Sequence, residues 1–548
     1  LAPRAAKPGR EKPKASEGAV TAAAAAAAQP QPASDSAASV DRWLHPRLDW
    51  LIAGLILLLV VVHFRHAAVV HLNGDEALHY NLAHQHTIAD AYAANNTNAH
   101  PPLLILSLHF IIRLIGDSEP LLRALPIFAY AVMLWFTWRW ASLALGRETA
   151  LAMTVLAAFL PPIFNLATEV RHYMLLLASV AAALYFWERA FQQQRKRWFA
   201  ISAACLCLAI VSHFSASFLV LAYGVASLWR IRQTRLARPL VVVWAAGQCV
   251  AAALYAVLYV TQLAHLAGSE VTREAQEGWL RVLYCGGDRF TCLVSNTGML
   301  FEYFFGSVAL GAIAALLVVA GLILLARDPD LRRHLWIPAV AFVAACAAAA
   351  LGQYPLGGSR HSVLIACLTL VPISFALAYA FRRRLAVLAG LLLALVMLWR
   401  VTAKPERQVL PAAEQNRAFV QSATAYLRSQ VKPAGLVFTD YQSVLLLCYY
   451  TDPGKYCVDT RNRYFLEYDL GPYRVVASRK WSLDPTDFVN ELRRLKAEYQ
   501  LLPGAAVWVF DGGWGSPVNR MLALQYSGSE WPGLREFGEH FGVFRIPN

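Results

Sequence analysis

The sequence predicts an all-α polytopic membrane protein that carries a small C-terminal α/β domain. Three observations lead there. The chain of 548 residues is 57% hydrophobic and only 15% charged, whereas soluble globular proteins carry charge on about a quarter of their residues. Apolar runs long enough to cross a bilayer recur from about residue 49 to residue 401. After about residue 404 the pattern changes to short strand-like and helix-like segments. The formal net charge of +14 does not point to nucleic acid, because the basic residues sit in short loops between apolar runs. There they act as topology signals.

Residues 1–40 are rich in Ala, Pro, Ser and Lys and are expected to form a disordered tail. The tail lacks the basic, apolar, small-residue order of a cleaved signal peptide, so it is expected to remain. The leading Leu points to an unconventional start codon or a trimmed chain. Residues 41–403 are expected to form the membrane domain. Eleven spans are read near 49–69, 121–141, 149–166, 172–188, 199–212, 214–229, 240–262, 298–326, 335–352, 362–380 and 385–401. The apolar stretch 101–116 is left out. At about 16 residues, with an internal His and Arg and a Pro pair ahead of it, it suits an interfacial helix better than a crossing. That choice puts every basic cluster (139–147, 189–198, 230–239, 327–334 and 381–384) on the side of the N-terminal tail. The positive-inside rule makes that side the cytoplasm and leaves the C-terminus outside.

Residues 404–548 are expected to form a soluble periplasmic domain. "AGLVFTD" and "AAVWVFDGG" read as buried strands, and "PTDFVNELRRLKAEYQ" reads as an amphipathic helix with a Thr or Asp cap. Alternating strands and helix suggest an α/β unit. Cys205, Cys207, Cys249, Cys346 and Cys367 lie in apolar runs and read as small core residues. Cys285 with Cys292, and Cys448 with Cys457, lie outside the spans, and each pair can close a disulfide in an oxidising space.

The polar residues of interest collect on the non-cytoplasmic side. "HLNGDEALHY" places Asp75 and Glu76 just beyond the first span, and "TNAHPPLL" places His100 ahead of the interfacial segment. "TEVRHYML" carries Glu169, Arg171, His172 and Tyr173 at the mouth of a later span; "SHFSAS" carries His213 and "GGSRHSVL" carries Arg360 and His361. Charges at the mouth of a membrane span mark functional sites. An Arg beside glycines and a helix N-terminus suits a phosphate, and a partly desolvated carboxylate suits a general base or a metal ligand. Each stretch also has a plainer account. Asp75 can cap a helix, Glu169 and Arg171 can pair locally, Arg360 can snorkel, and His213 can be structural.

Taken together, the acidic "DE" after the first span, the "HPPL", the "E-x-R-x-Y" at an outer mouth and the late "SRH" before a span resemble polyprenyl-phosphate-sugar-dependent glycosyltransferases of the GT-C fold. The protein O-mannosyltransferases and the lipid A aminoarabinose transferases are the nearest in pattern, over roughly residues 45–400. The resemblance implies an inverting transferase that takes a sugar from a polyprenyl phosphate. Asp75 matches the general base, with Glu76 as companion carboxylate. Glu169 matches a second acidic position where some relatives have Asp. Arg171, Arg360 and His361 would hold the donor phosphate, and His100, Tyr173 and His213 would line the pocket. The acceptor would be a glycan, lipid or protein. Metal use varies within this fold, so the resemblance assigns no metal ligand and leaves a divalent cation open as a cofactor. A transporter or flippase of lipid-linked sugars is the competing reading. It would place charges deep within spans, and the spans here are mostly free of acids away from their outer ends.

Overall fold

The computed structural model describes residues 35–96, 100–266, 270–278, 280–382, 384–402, 415–432, 435–457, 464–501, 507–513, 534–538 and 540–546. Helices α1 (Asp35–Leu44), α2 (Leu48–Ala67), α3 (Gly74–Ala83), α4 (Ile88–Asn95), α5 (Leu103–Leu114), α6 (Glu119–Ala144), α7 (Arg147–Phe159), α8 (Pro161–Leu166) and α9 (Tyr173–Gln193) open the chain. They are followed by α10 (Lys196–Ser212), α11 (Ala216–Thr234), α12 (Arg238–Leu258), α13 (Glu270–Glu277), α14 (Arg289–Phe305), α15 (Val308–Arg327), α16 (Trp336–Ala350), α17 (Val363–Ala380) and α18 (Leu385–Thr402).

Among the described residues, 8 helices are long and apolar enough to cross a membrane: those ending α2, α6, α9, α12, α15, α16, α17 and α18. The predicted spans 149–166, 199–212 and 214–229 correspond to helices too, but α7 (13 residues), α10 (17 residues) and α11 (19 residues) are shorter or less apolar. The predicted span 298–326 is two helices. Gly306 adopts φ +84 and ends α14 in a left-handed turn, and Ser307 then caps α15 by accepting from Leu310 N (3.3 Å). A mostly apolar run hides that break, since Gly306 supplies a backbone conformation that only Gly adopts without cost. α5 has 12 residues, too few for a crossing, as expected of 101–116. α15 and α17 approach so closely that a Cβ on Gly321 would stand 2.0 Å from the Pro372 carbonyl oxygen. Small residues serve this purpose in helix packing inside membranes.

Residues 1–34 of the expected tail lie outside the described residues. Residues 35–40 depart from it, since they open α1, whose Asp41 accepts from Ala386 N (2.8 Å) at the start of α18. That contact gives an otherwise polar helix a docking point. Of the five unbridged cysteines, Cys205, Cys207, Cys346 and Cys367 are half-buried and pack against the helical core, whereas Cys249 is exposed and departs from the core placement expected of it. Both Cys285–Cys292 and Cys448–Cys457 are disulfide-bonded.

After the last span come α19 (Arg417–Gln430), β1 (Leu436–Thr439), α20 (Tyr441–Thr451), β2 (Phe465–Leu470), β3 (Tyr473–Ser478), α21 (Pro485–Glu498), β4 (Val507–Gly512), β5 (Arg535–Phe537) and β6 (Phe541–Ile546). The sheet order is β2-β3-β1-β4-β6-β5, with β3, β1 and β4 parallel and the outer pairs antiparallel. The cap of α21 is Asp484, ahead of the expected "PTD", and it accepts from Asp487 N (2.7 Å).

This domain is not a loose appendage. Its α20 shares a hydrophobic core with α3 and α5, through Leu72, Ala77, Tyr80 and Leu108 against Val444, Leu447 and Tyr449. His71 N donates to Gln415 O (2.9 Å) and Arg417 N to Val69 O (2.8 Å). Leu72 N donates to the Tyr450 hydroxyl (2.9 Å), and Tyr80 donates to Pro453 O (2.9 Å). The segment between α2 and α6 is thereby clamped between the spans and the sheet.

Asp440, after β1, and Asp511, in β4, line one small cavity with Thr439, Leu483 and Phe488. Burial raises both carboxyls, that of Asp440 to about 6, and the Asp440 charge raises Asp511 further. Their stabilisation is complete where both are protonated, below the ordinary carboxylate range. It is lost as pH rises through their raised values, because the unfolded chain then releases protons that the fold retains. Asp511→Asn is expected to raise the melting temperature at pH 7.5 and to flatten its decline above pH 5. Calorimetry of the full chain checks this.

Candidate active site

The site begins with a helix start. Asn73 caps α3 by accepting from Glu76 N (2.9 Å), and Glu76 accepts in return from Asn73 N (3.0 Å), a capping box. Asn73, not Asp75, is therefore the cap. Asp75 is left in the first turn of the helix with its carboxylate free to face across the loop.

It faces two guanidiniums. Arg360 Nη2 donates to Asp75 Oδ2 (2.7 Å), and Arg171 is ion-paired with the same oxygen. Arg171 Nε also lies 3.7 Å from Glu169. Asp75 (17% exposed) and Arg360 (27%) reach the surface of the cleft, whereas Arg171 (4%) is buried behind them. Arg360 owes its place to its neighbours. Gly357 sits at φ +151, and a Cβ there would meet Leu283 at 2.7 Å. Gly357 N donates to Ser362 Oγ (3.0 Å), and Tyr354 donates to His361 O (2.7 Å). The turn is thus pinned on both sides of Arg360.

Glu76 does something else. With Arg123 of α6 it forms a buried ion pair, at 1% and 2% exposure. Arg123 Nε and Nη2 donate to its two oxygens (2.9 and 2.7 Å). The remaining Arg123 protons go to the carbonyls of Ala67 (3.2 Å), Val70 (2.9 Å) and His71 (2.8 Å). All five guanidinium donors are used. Glu76 also accepts from Val170 N (2.9 Å), so it holds the 167–172 loop that carries Glu169 and Arg171. Thr168 is bound in turn by His63 of α2 (2.6 Å). The carboxylate of Glu76 has no capacity left for substrate. Its own partners keep its carboxyl below the usual range despite burial.

Glu169 is pushed the other way. Burial raises its carboxyl to about 7, opposed by Arg360 and Arg123. One of its oxygens has no hydrogen-bond partner. Such a group exchanges its proton near neutral pH.

Beside these charges lies a histidine cluster. The rings of His100 and His172 are 3.9 Å apart, His172 and His213 4.8 Å, and His79 and His172 6.2 Å. His213 Nδ1 is committed, accepting from Ser215 N (3.0 Å). His361 Nδ1 lies 3.3 Å from Ser359 Oγ. Tyr173 packs on His172 and His213 with ring centroids 4.3 and 5.6 Å away, and its hydroxyl feels the Arg360 charge.

Of the nine residues singled out in the sequence, eight therefore gather in one cluster, and the ninth, Glu76, stands behind it, turned into the protein against Arg123. Reading the sequence alone missed Arg123 and His79, and it named His172 in "TEVRHYML" without giving it a role. An isolated Arg inside "PLLRALPIF" was a usable signal, since charge within a span needs a partner. So was the spacing of Asp75 and His79, four residues apart and hence on one helix face.

Residues 99–260 match the sequence model of a family described as dolichyl-phosphate-mannose-protein mannosyltransferase. Comparison with curated protein sequences gives no match. Among solved structures, the chain is similar to ArnT from Cupriavidus metallidurans bound to undecaprenyl phosphate, with 15% identity, a TM-score of 0.52, and coverage of 91% of this chain and 98% of that one. The apo state of that ArnT gives 14% identity and a TM-score of 0.41 over 92% and 98% of the two chains. The oligosaccharyltransferase AglB from Archaeoglobus fulgidus, in complex with an inhibitory peptide and a dolichol-phosphate, gives 12% identity and a TM-score of 0.40 over 72% and 62%. The chain is a multi-pass membrane protein of the GT-C fold, shared with that undecaprenyl-phosphate-bound ArnT over nearly the whole length of both.

Proposed function

We propose that the protein is an inverting glycosyltransferase that moves a sugar from a polyprenyl-phosphate donor to an acceptor on the outer face of an inner membrane. The observation that carries this is the convergence of Asp75 with Arg171 and Arg360 at the mouth of the spans. In the absence of donor, Asp75 supplies the negative charge between the two guanidiniums. A donor phosphate takes its place and leaves Asp75 beside the anomeric carbon. The acceptor O–H or N–H attacks C1 while the C1–O bond to phosphate breaks. The phosphate departs with the electron pair, and the acceptor proton passes to Asp75. Arg171 and Arg360 stabilise the charge that grows on the leaving group. Glu76 positions both elements and takes no part in the chemistry. The donor is a lipid, and this explains why the carboxylate lies so close to the membrane.

The two disulfides support the sidedness. Leu283, two residues before Cys285, packs on the Gly357 turn beside Arg360, and Cys448 lies in the helix packed on α3. Both bridges lie on the face of the site, as an oxidising periplasm requires. With the basic loops on the opposite face, the N-terminus is cytoplasmic and the C-terminal domain periplasmic.

The test is direct. Full-length protein in nanodiscs is incubated with a lipid extract that contains polyprenyl-phosphate sugars. Release of free polyprenyl phosphate, dependent on an added acceptor fraction, is expected. Transport of labelled donor across vesicles with no covalent change would overturn the reading in favour of a flippase.

Glu169 makes a further prediction. Its carboxyl faces Arg171 on its own loop, Arg360 at the head of α17, Glu76 on α3 and Arg123 on α6. Below about pH 7 it is neutral and the cleft is more positive; above, its charge competes for the guanidiniums. Affinity for polyprenyl phosphate is therefore expected to fall as pH rises through 7, and Glu169→Gln is expected to abolish that fall. Binding isotherms at pH 6 and 8 decide it.

A further inference from the structure

We propose that His79, His100 and His172 form a binding site for one divalent transition-metal ion, with Zn²⁺ the best fit, tying the first outer loop to the head of α9. Their ligand atoms all lie within 4.8 Å of one another, and they form the group of His, Cys, Asp and Glu side chains among the described residues that meets this spacing. They come from three separate segments: α3, the turn before Pro101, and the residue preceding α9.

The independent observation is orphaned polarity. Neither ring nitrogen of His172 has a hydrogen-bond partner, and His79 has one nitrogen to spare once the other turns to the Val170 backbone; the two residues are 0% and 1% exposed. Three buried, unpartnered imidazole nitrogens are costly, and a bound ion satisfies two of them at once. Imidazole suits Zn²⁺, Cu²⁺, Ni²⁺ and Fe²⁺ better than Mg²⁺ or Ca²⁺, which prefer oxygen. Three histidines with a fourth position left to water is a common arrangement for Zn²⁺. Tetrahedral geometry asks for nitrogens about 3.3 Å apart at Zn–N distances of about 2.0–2.1 Å, so the nitrogens need to close by up to about 1.5 Å. The Val170 backbone lies beside His79 and can accept from its second nitrogen, the usual way in which a ligating ring is oriented. His213 is excluded because its Nδ1 already accepts from Ser215 N.

Charge does not forbid the ion. Arg171 and Arg360 are near, but Asp75 and Glu76 stand against them and Arg123, and Glu169 adds its charge above about pH 7, where the surrounding charges balance. The ion would hold His100 beside the charged cleft and fix the residues that lead into α5.

The experiment reads metal, without donor or acceptor, so its failure leaves the transferase reading standing. Full-length, untagged protein is stripped with chelator and titrated with Zn²⁺ by calorimetry, and with Co²⁺ by visible absorption. One equivalent of tightly held Zn²⁺ is expected, with a tetrahedral Co²⁺ spectrum and a higher melting temperature on Zn²⁺ addition. His79→Gln and His172→Gln should each weaken binding by more than about 10–100-fold, the range for losing a partner that only orients a ligand. His86→Ala, on the surface, should leave it intact. Absence of a stoichiometric wild-type site overturns the proposal whether or not the variants fold. So does wild-type affinity in both Gln variants.

Discussion

Asp75→Asn is expected to lower the rate of sugar transfer by about 10²–10⁴-fold, the usual range for loss of a general base, and to tighten the hold on polyprenyl phosphate. The two effects have one origin. Asp75 Oδ2 binds both Arg171 and Arg360, so it is at once the base and the competitor of the donor phosphate. An amide in its place takes no proton and neutralises no guanidinium. The measurement is a pair: turnover in nanodiscs, and a dissociation constant for undecaprenyl phosphate on the same preparation. Lost turnover with tighter or unchanged binding supports the assignment. Full turnover removes Asp75 from the chemistry, and loss of both functions would mean that Asp75 only holds the cleft together. Arg360→Gln should behave in the opposite sense. It should weaken phosphate binding first, because Arg360 is the more exposed of the two guanidiniums and meets the incoming headgroup.

What could be read ahead of the structure follows from what a linear pattern records. Asp75, Glu169, Arg171 and Arg360 were legible because each lies at the end of an apolar run, and the basic loops assign all of those ends to one face. The strands "LVFT" and "VWVFDG" were legible from continuous apolar residues bounded by turn formers. The break between α14 and α15 was not, because one Gly in an apolar run of this length signals nothing until its backbone turns left-handed. The cap of α3 was misplaced: Asp75 suits such a position, but Asn73 holds it, because Glu76 reaches back to Asn73 N. The role of Glu76 was invisible for a different reason. Beside Asp75 in the sequence it reads as a second acid of the same kind, yet successive helical residues point in different directions. One faces the cleft, while the other is driven into the protein against Arg123.

That division of labour sets the largest expected loss of stability. Arg123→Leu, leaving Glu76 buried without its cation, should destabilise the protein by about 3–5 kcal/mol, the range for breaking a buried pair by removing one partner. Glu76→Leu should cost a similar amount. For an ordinary buried pair, replacing both residues by apolar ones restores most of the loss. Here it should not. Arg123 also serves the carbonyls of Ala67, Val70 and His71 as the chain leaves α2, and Glu76 also serves the amides of Asn73 and Val170. Removing both side chains takes away these five backbone contacts, and each buried polar group left without a partner costs about 1–3 kcal/mol. The double Leu variant is therefore expected to melt no higher than the weaker single variant, and to lose transfer because Val170 no longer fixes Glu169 and Arg171. Thermal denaturation of the four proteins in one detergent decides between the two outcomes. Recovery of the double variant to near the wild-type melting temperature would reduce Glu76–Arg123 to a simple ion pair. It would also separate the architecture of the 167–172 loop from the chemistry of the cleft.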